Sequence, residues 1–305
     1  MKPGQIEITR VEVPPPGPGE VLIETRANGI CRGDVALFTG RTQVQYPFFF
    51  GHEPAGIVVE VGAGVDGPKP GDAVACLGYP TFQRHFITRA RRAIRIPNKN
   101  TDLAVWISEP VACAVNCVHG AEIRPGDKVA LLGCGYMGLL ILQALPRETL
   151  GRLAVADPDG SRLGVARSFN APETYDPRET DLPALAQQAG GFDIVIEASG
   201  EEGALSLATE MVRPGGKLII FGWHHGEEKV PIGKWHLKGL RVLNITPRFA
   251  EDFDARFQTA VKLLALGKID QRPLITCRFA FSAGQKALEA AAASAKGYLK
   301  GVIVF

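Results

Sequence analysis

The chain has 305 residues, 46% apolar and 22% charged, the balance of a folded globular protein with one large domain or two ordinary ones. A net charge of +2 from scattered Lys and Arg leaves neither a basic stripe for nucleic acid nor an acidic tail, so no nucleic-acid partner is expected. No apolar run approaches the roughly 20 residues of a membrane span, and the opening MKPGQIEITRVEVPPPGPGE lacks a signal-peptide core. The expectation is therefore a cytoplasmic protein, no membrane partner, and six cysteines kept reduced.

From Val11 to about Arg95, the apolar β-branched runs VLIETRANGI, GIVVEVGAGV and DAVACLGY are separated by PPPGPGE and DGPKPGD. Closely spaced strands with turn signals predict a compact, mostly β domain. GICRGDVALFTG and Gly51-His52-Glu53 lie among these strands. Phe48-Phe49-Phe50, just before the tripeptide, reads as core. After Glu109 the rhythm changes. Cys113 and Cys117 in ISEPVACAVNCV are four apart and read as a small-residue core face. KVALLGCG, RLAVADP, FDIVIEAS and GKLIIFG then alternate with the helical patterns YMGLLILQAL, SRLGVARSF and GALSLATEMV. Alternation of this kind predicts βαβ units and a doubly wound parallel sheet, an α/β fold. PLITCRFAF, AGQKALEAAAAS and KGVIVF at the end return to the first domain, giving expected domains of 1–112 with 251–305, and 113–250.

Gly133-Cys134-Gly135-Tyr136-Met137-Gly138 follows the strand KVALL and opens a helix. In that context the first Gly makes a tight turn, the second admits a pyrophosphate to the backbone, and the third lets helix pack on strand. The phosphates would sit at a helix N-terminus, where unpaired N–H groups favour anions. Asp157 ends the next strand, where a carboxylate accepts from ribose hydroxyls and repels a 2′-phosphate, favouring NAD over NADP. Arg162 reaches the same ribose or weakens that preference. The alternative for Asp157 is a cap on the helix that begins in DPDGSR.

GHE-xx-G followed by VGAGV and KPGDAV resembles the zinc alcohol dehydrogenase signature of the medium-chain dehydrogenase/reductase superfamily. GICRGDVALFTG resembles that family's cysteine segment, and ISEPVACAVNCV the corresponding segment of its sorbitol and polyol dehydrogenase branch. The resemblance implies a GroES-like catalytic domain made from both chain ends with a Rossmann domain inserted. It implies one catalytic Zn²⁺ per chain at Cys31 and His52, with Glu53 and Glu109 as ligands or near-ligands and Asp34 orienting the histidine. These are good zinc donors in their own right, and a carboxylate behind a ligand histidine is the usual support. By the same resemblance Arg32 and Lys300 hold the pyrophosphate and Gly222 borders the nicotinamide. His224, His225, Trp235 and His236 line either the substrate pocket or a subunit contact.

The implied activity is NAD-linked oxidation of a secondary alcohol, a polyol, cyclitol or sugar alcohol, to a ketone. The expected partners are that hydroxylated small molecule and further copies of the chain in a dimer or tetramer. Three departures stand out: no four-cysteine structural zinc lobe follows the GDAV strand, the family's usual first strand is missing, and Gly33 stands where a Ser or Thr often passes the proton outward. Two rivals therefore remain: a zinc-free, NAD(P)H-dependent enone or quinone reductase of the same superfamily, and a non-catalytic nucleotide-binding protein.

Overall fold

A computed structural model describes residues 2–97 and 101–305. It divides into two compact units, Met1–Ala112 with Asp254–Phe305, and Cys113–Phe253. The first unit opens with β1 (Glu20–Gly29), α1 (Arg32–Phe38), β2 (Pro54–Val61), β3 (Ala73–Cys76), β4 (His85–Arg89) and β5 (Ala93–Arg95), and leaves through α2 (Glu109–Gly120). The second holds β6 (Lys128–Leu132), α3 (Tyr136–Ala144), β7 (Arg152–Ala156), α4 (Gly160–Ser168), β8 (Glu173–Tyr175), α5 (Leu182–Gln188), β9 (Phe192–Glu197), α6 (Ala204–Met211), β10 (Val212–Ile220), α7 (Ile232–Lys238) and β11 (Arg241–Asn244). The chain then returns to the first unit as α8 (Phe253–Ala265), β12 (Ile275–Ala280), α9 (Gly284–Ala293) and β13 (Lys300–Val304).

In the first unit the sheet runs β12-β13-β1-β2-β3-β5, with β4 also paired to β1. Val21, Ile23 and Thr25 alternate inward along β1, as a strand with one covered face requires. Val21 and Ile23 pack with Val58, Val74 and Phe86 into one core. The β1–β2 register sets Asn28 opposite Pro54, and β1–β13 sets Gly29 opposite Val302. Those two pairings bring the end of β1, the start of β2 and the middle of β13 to one place, and the site is built there.

The second unit has an all-parallel sheet in the order β11-β10-β9-β6-β7-β8. Leu139 to Leu142 in α3 are all fully buried, which explains a helix apolar on every face. Such leucines and isoleucines contribute about 1.5–3 kcal/mol each on burial. Leu103–Gly120 has the length and hydropathy of a membrane span, contrary to the reading of the sequence alone, but 61% of it is buried inside the protein. It is a core segment, interrupted by the non-helical Ile107 and Ser108.

Phe49 is exposed, not core, and Phe48 and Phe50 are half-buried. With Ile6, Ile8, Val13 and Phe82 they line a cavity of about 780 Å³ in the first unit.

Candidate active site

Cys31 is the N-cap of α1 and Asp34 its third helical residue. Asp34 Oδ2 accepts the Cys31 N–H at 2.8 Å while Cys31 Sγ accepts the Gly33 N–H at 3.4 Å, a reciprocal cap that satisfies two helix-end donors. The other oxygen of Asp34 accepts the Gly51 N–H at 3.3 Å and faces His52 Nδ1 at 3.6 Å. One buried carboxylate thus fixes the cysteine segment and the histidine segment in the same frame. Burial opposes charge on His52, but Asp34 and Cys31 outweigh it and raise the imidazole above its ordinary range.

Glu53 is held from three sides. Its N–H donates to Asn28 Oδ1 at 3.2 Å, its carbonyl accepts the Gly29 N–H at 3.1 Å, and Lys300 Nζ donates to Oε1 at 2.7 Å. Lys300, expected at a pyrophosphate, is instead buried beside Glu53 and also donates to the Ile30 carbonyl at 3.0 Å. A Cβ at Gly29 would lie 1.8 Å from Glu53 Oε2 and 2.9 Å from Lys300 Cε, so only glycine admits this pair. Asn28, which the sequence reading passed over, also donates to the Thr81 carbonyl and hydroxyl. It lies just ahead of the GICRGDVALFTG segment, and only the strand register shows its use.

The donor atoms of Cys31, His52 and Glu53 lie within 4.8 Å of one another. Thiol, imidazole and carboxylate at that spacing fit Zn²⁺, and Cys31 and His52 are partly open to solvent. Glu109 is the half-buried first residue of α2 and falls outside that group. Arg32, the first residue of α1, is exposed.

In the second unit the turn after β6 runs Gly133 to Gly138 into α3. A Cβ at Gly138 would meet the Gly133 carbonyl oxygen at 1.9 Å, whereas one at Gly135 would project into open space. Close packing at the third glycine and room at the second suit a pyrophosphate. Tyr136 is buried and Met137 half-buried at the head of the helix. Asp157 is buried, Oδ2 accepting the Cys134 N–H at 2.6 Å and Oδ1 the Asp159 N–H at 2.8 Å. The cap of α4 is Asp159, which accepts the Ser161 N–H, so Asp157 does not have the capping role. Arg162 NH1 lies 3.8 Å from Asp157 Oδ2. Gly222 follows β10, and Phe221 and Gly222 N–H both donate to the Glu197 carbonyl.

The aromatic and histidine residues after β10 separate. Trp235 Nε1 donates to Thr209 Oγ1 at 2.7 Å and the ring packs on the core, His225 lies against the Trp223 ring, and His236 is exposed. Cys113, Cys117 and Cys134 are buried, and burial raises the Cys117 and Cys134 thiols well above the usual range.

Residues 17–98 match the model of the alcohol dehydrogenase GroES-like domain and residues 137–265 that of the zinc-binding dehydrogenase. D-arabinitol dehydrogenase 1 of Uromyces fabae is 28% identical, the alignment covering 94% of this chain and 91% of the relative. L-threonine 3-dehydrogenase of Pyrococcus furiosus is also 28% identical, covering 90% and 88%. A candidate D-xylulose reductase of Agrobacterium fabrum is 30% identical, covering 87% and 85%. Among solved structures, a candidate zinc-binding dehydrogenase of Sinorhizobium meliloti with NADP bound superposes with a TM-score of 0.86 at 25% identity, covering all of this chain and 97% of the other.

Proposed function

The chain belongs to the zinc-binding alcohol dehydrogenase family, and from that premise we propose that it oxidises a polyol or related hydroxylated substrate to a ketone with NAD as hydride acceptor. The observation that carries this reading is the convergence of Cys31, His52 and Glu53, backed by Asp34 and Lys300. Relatives named for arabinitol and xylulose give the substrate class its support. A zinc-free reductase needs no such donor set, and a purely structural protein needs neither the donors nor their buried supports.

Cys31 and His52 would hold one Zn²⁺, with Glu53 beside it and Glu109 a further carboxylate in the same segment of chain as the polyol-type motif. When bound, the metal supplies Lewis acidity to the alcohol and the nicotinamide takes the hydride. The chain's own work is positional. Asp34 sets the separation of Cys31 and His52, and Lys300 pairs with Glu53 and holds its carboxylate in place. Gly33 brings no hydroxyl next to Cys31, which suits a substrate that supplies a neighbouring hydroxyl of its own. A polar site of this kind rejects analogues lacking that hydroxyl, because its own groups are then unpaired.

The test is a panel with NAD⁺ and metal analysis on the same sample. Arabinitol, xylitol, sorbitol and inositol are expected to exceed propan-2-ol in kcat/KM by more than about tenfold, a difference of about 1.4 kcal/mol in transition-state binding. The same preparation should hold one zinc per chain. A preference for short alcohols or for L-threonine sinks the polyol reading, and two zincs or none sinks the metal assignment.

Asp157 supports NAD over NADP, since a 2′-phosphate would meet a buried carboxylate of like charge. A penalty of about 1.4 kcal/mol already gives tenfold discrimination. Asp157→Ser is expected to erase or reverse the preference, with Arg162 available to the phosphate. Equal use of both nucleotides by the wild type would remove Asp157 from this role.

A further inference from the structure

We propose that His224 is a positioning residue that holds the nicotinamide side of the nucleotide crevice in place. This inference rests on the dinucleotide reading above. The strand order reverses between β6 and β9, and a dinucleotide lies across the carboxyl ends of a sheet at such a reversal. Asp157 follows β7, on one side of β6. The other half of the nucleotide must then extend over the ends of β9 and β10.

Those two strand ends carry loops that are stitched together by one side-chain chain. The glycine turn abuts the first loop: a Cβ at Gly133 would lie 2.8 Å from Ser199 N. Glu197, the last residue of β9, is fully buried. Its Oε1 accepts the N–H groups of Ser199 at 2.7 Å and Gly200 at 2.9 Å, and the Ser199 hydroxyl. Its Oε2 lies 2.8 Å from His224 Nε2. His224 Nδ1 lies 2.7 Å from Glu228 Oε2, and Glu228 Oε1 accepts the Gly203 N–H at 3.0 Å. Each ring nitrogen of His224 therefore lies within hydrogen-bond distance of a different glutamate carboxylate.

The imidazole therefore joins the loop after β10 to the loop after β9, and Glu228 closes the ring onto the residue that caps α6. Hydrogen bonds to a carboxylate hold a geometry more firmly than those between neutral groups. Residues 221–230 form no strand or helix of their own, and this clamp and the Phe221 and Gly222 amides help to set the path of the loop. The glycine turn and Asp157 are held by separate bonds. Loss of the clamp should thus weaken the nicotinamide half of the site and spare the adenosine half.

That separation gives the experiment. Affinities for NADH and for ADP-ribose, which lacks the nicotinamide, are measured on the full chain for wild type, His224→Gln, Glu228→Ala and Glu228→Gln. Because His224→Gln leaves buried Glu197 with a weaker partner, Glu228→Ala provides a variant that keeps that inner pair. Both are expected to weaken NADH binding by about tenfold and to leave ADP-ribose within about twofold, tenfold being the loss of one good charge-assisted bond. Glu228→Gln, which keeps an acceptor for Gly203 and a polar partner for the imidazole, should restore most of the NADH affinity. NADH and ADP-ribose weakening in parallel would mean a merely structural cluster and overturn the proposal, as would unchanged NADH binding in both loss variants. A wild type that binds neither probe would overturn the dinucleotide reading itself, and the clamp with it.

Discussion

Replacing Cys31 with Ala is expected to reduce kcat by roughly a thousandfold or more, since a lost metal forfeits several kcal/mol of transition-state stabilisation. The variant should still fold. The Asp34 bond at the helix start goes to the Cys31 backbone N–H, which alanine keeps, and only the sulfur's bond from Gly33 is lost. NADH affinity should stay within about twofold, because the glycine turn and Asp157 are built from residues of the second unit. Zinc content, turnover and NADH titration on one preparation check this. Full activity without zinc would refute the metal role of Cys31, and a parallel loss of NADH binding would show that the two sites are not independent.

Lys300→Met is expected to cost about 3–5 kcal/mol of stability, the usual effect of removing one partner from a buried ion pair. Glu53 and Lys300 are 1% and 4% exposed, so water cannot replace the lost ammonium. Adding Glu53→Gln to the variant should recover most of the loss, because a neutral amide no longer demands a buried counter-charge. Denaturant midpoints of the wild type, Lys300→Met, Glu53→Gln and the double variant measure the coupling. Burial opposes the charge of Lys300, but Glu53, Cys31 and Asp34 outweigh it, so its folded value lies above the ordinary one. The sign then follows: its contribution is fully present below about pH 10.4 and is lost only as pH rises through the higher folded value. An exposed pair would instead give well under 1 kcal/mol, and such a result for Lys300→Met would refute the buried-pair account.

Much of the site was legible because its signals are local. A strand, a glycine turn and an apolar helix in succession from Lys128 to Ala144 can form little else, and GHE beside a β-branched run marks a polar tripeptide entering β2. Other elements gave no signal. β8 is three residues long and half-buried throughout, and β11 has four residues with none buried, so neither shows a period. Phe49 misled for a related reason: apolarity alone does not tell a core residue from a cavity wall.

Local pattern, then, determined which segments would be strands and helices, that the middle of the chain would form βαβ units, and which side chains were chemically fit to hold a metal and a nucleotide. Tertiary structure decided their partners. Glu53 and Lys300 are 247 residues apart in sequence, and only the β1–β13 pairing beside Gly29 puts the ammonium on the carboxylate. Asp34 proved to bind the Gly51 backbone as well as face the histidine, and Asp157 to brace the glycine turn through Cys134. His224 became the link between two glutamates 27 residues before it and four after it. Charged and polar side chains carry no periodicity that names their partners. Burial makes pairing obligatory for them, and which pair forms depends on strand register and loop path, set by the packing of the whole unit.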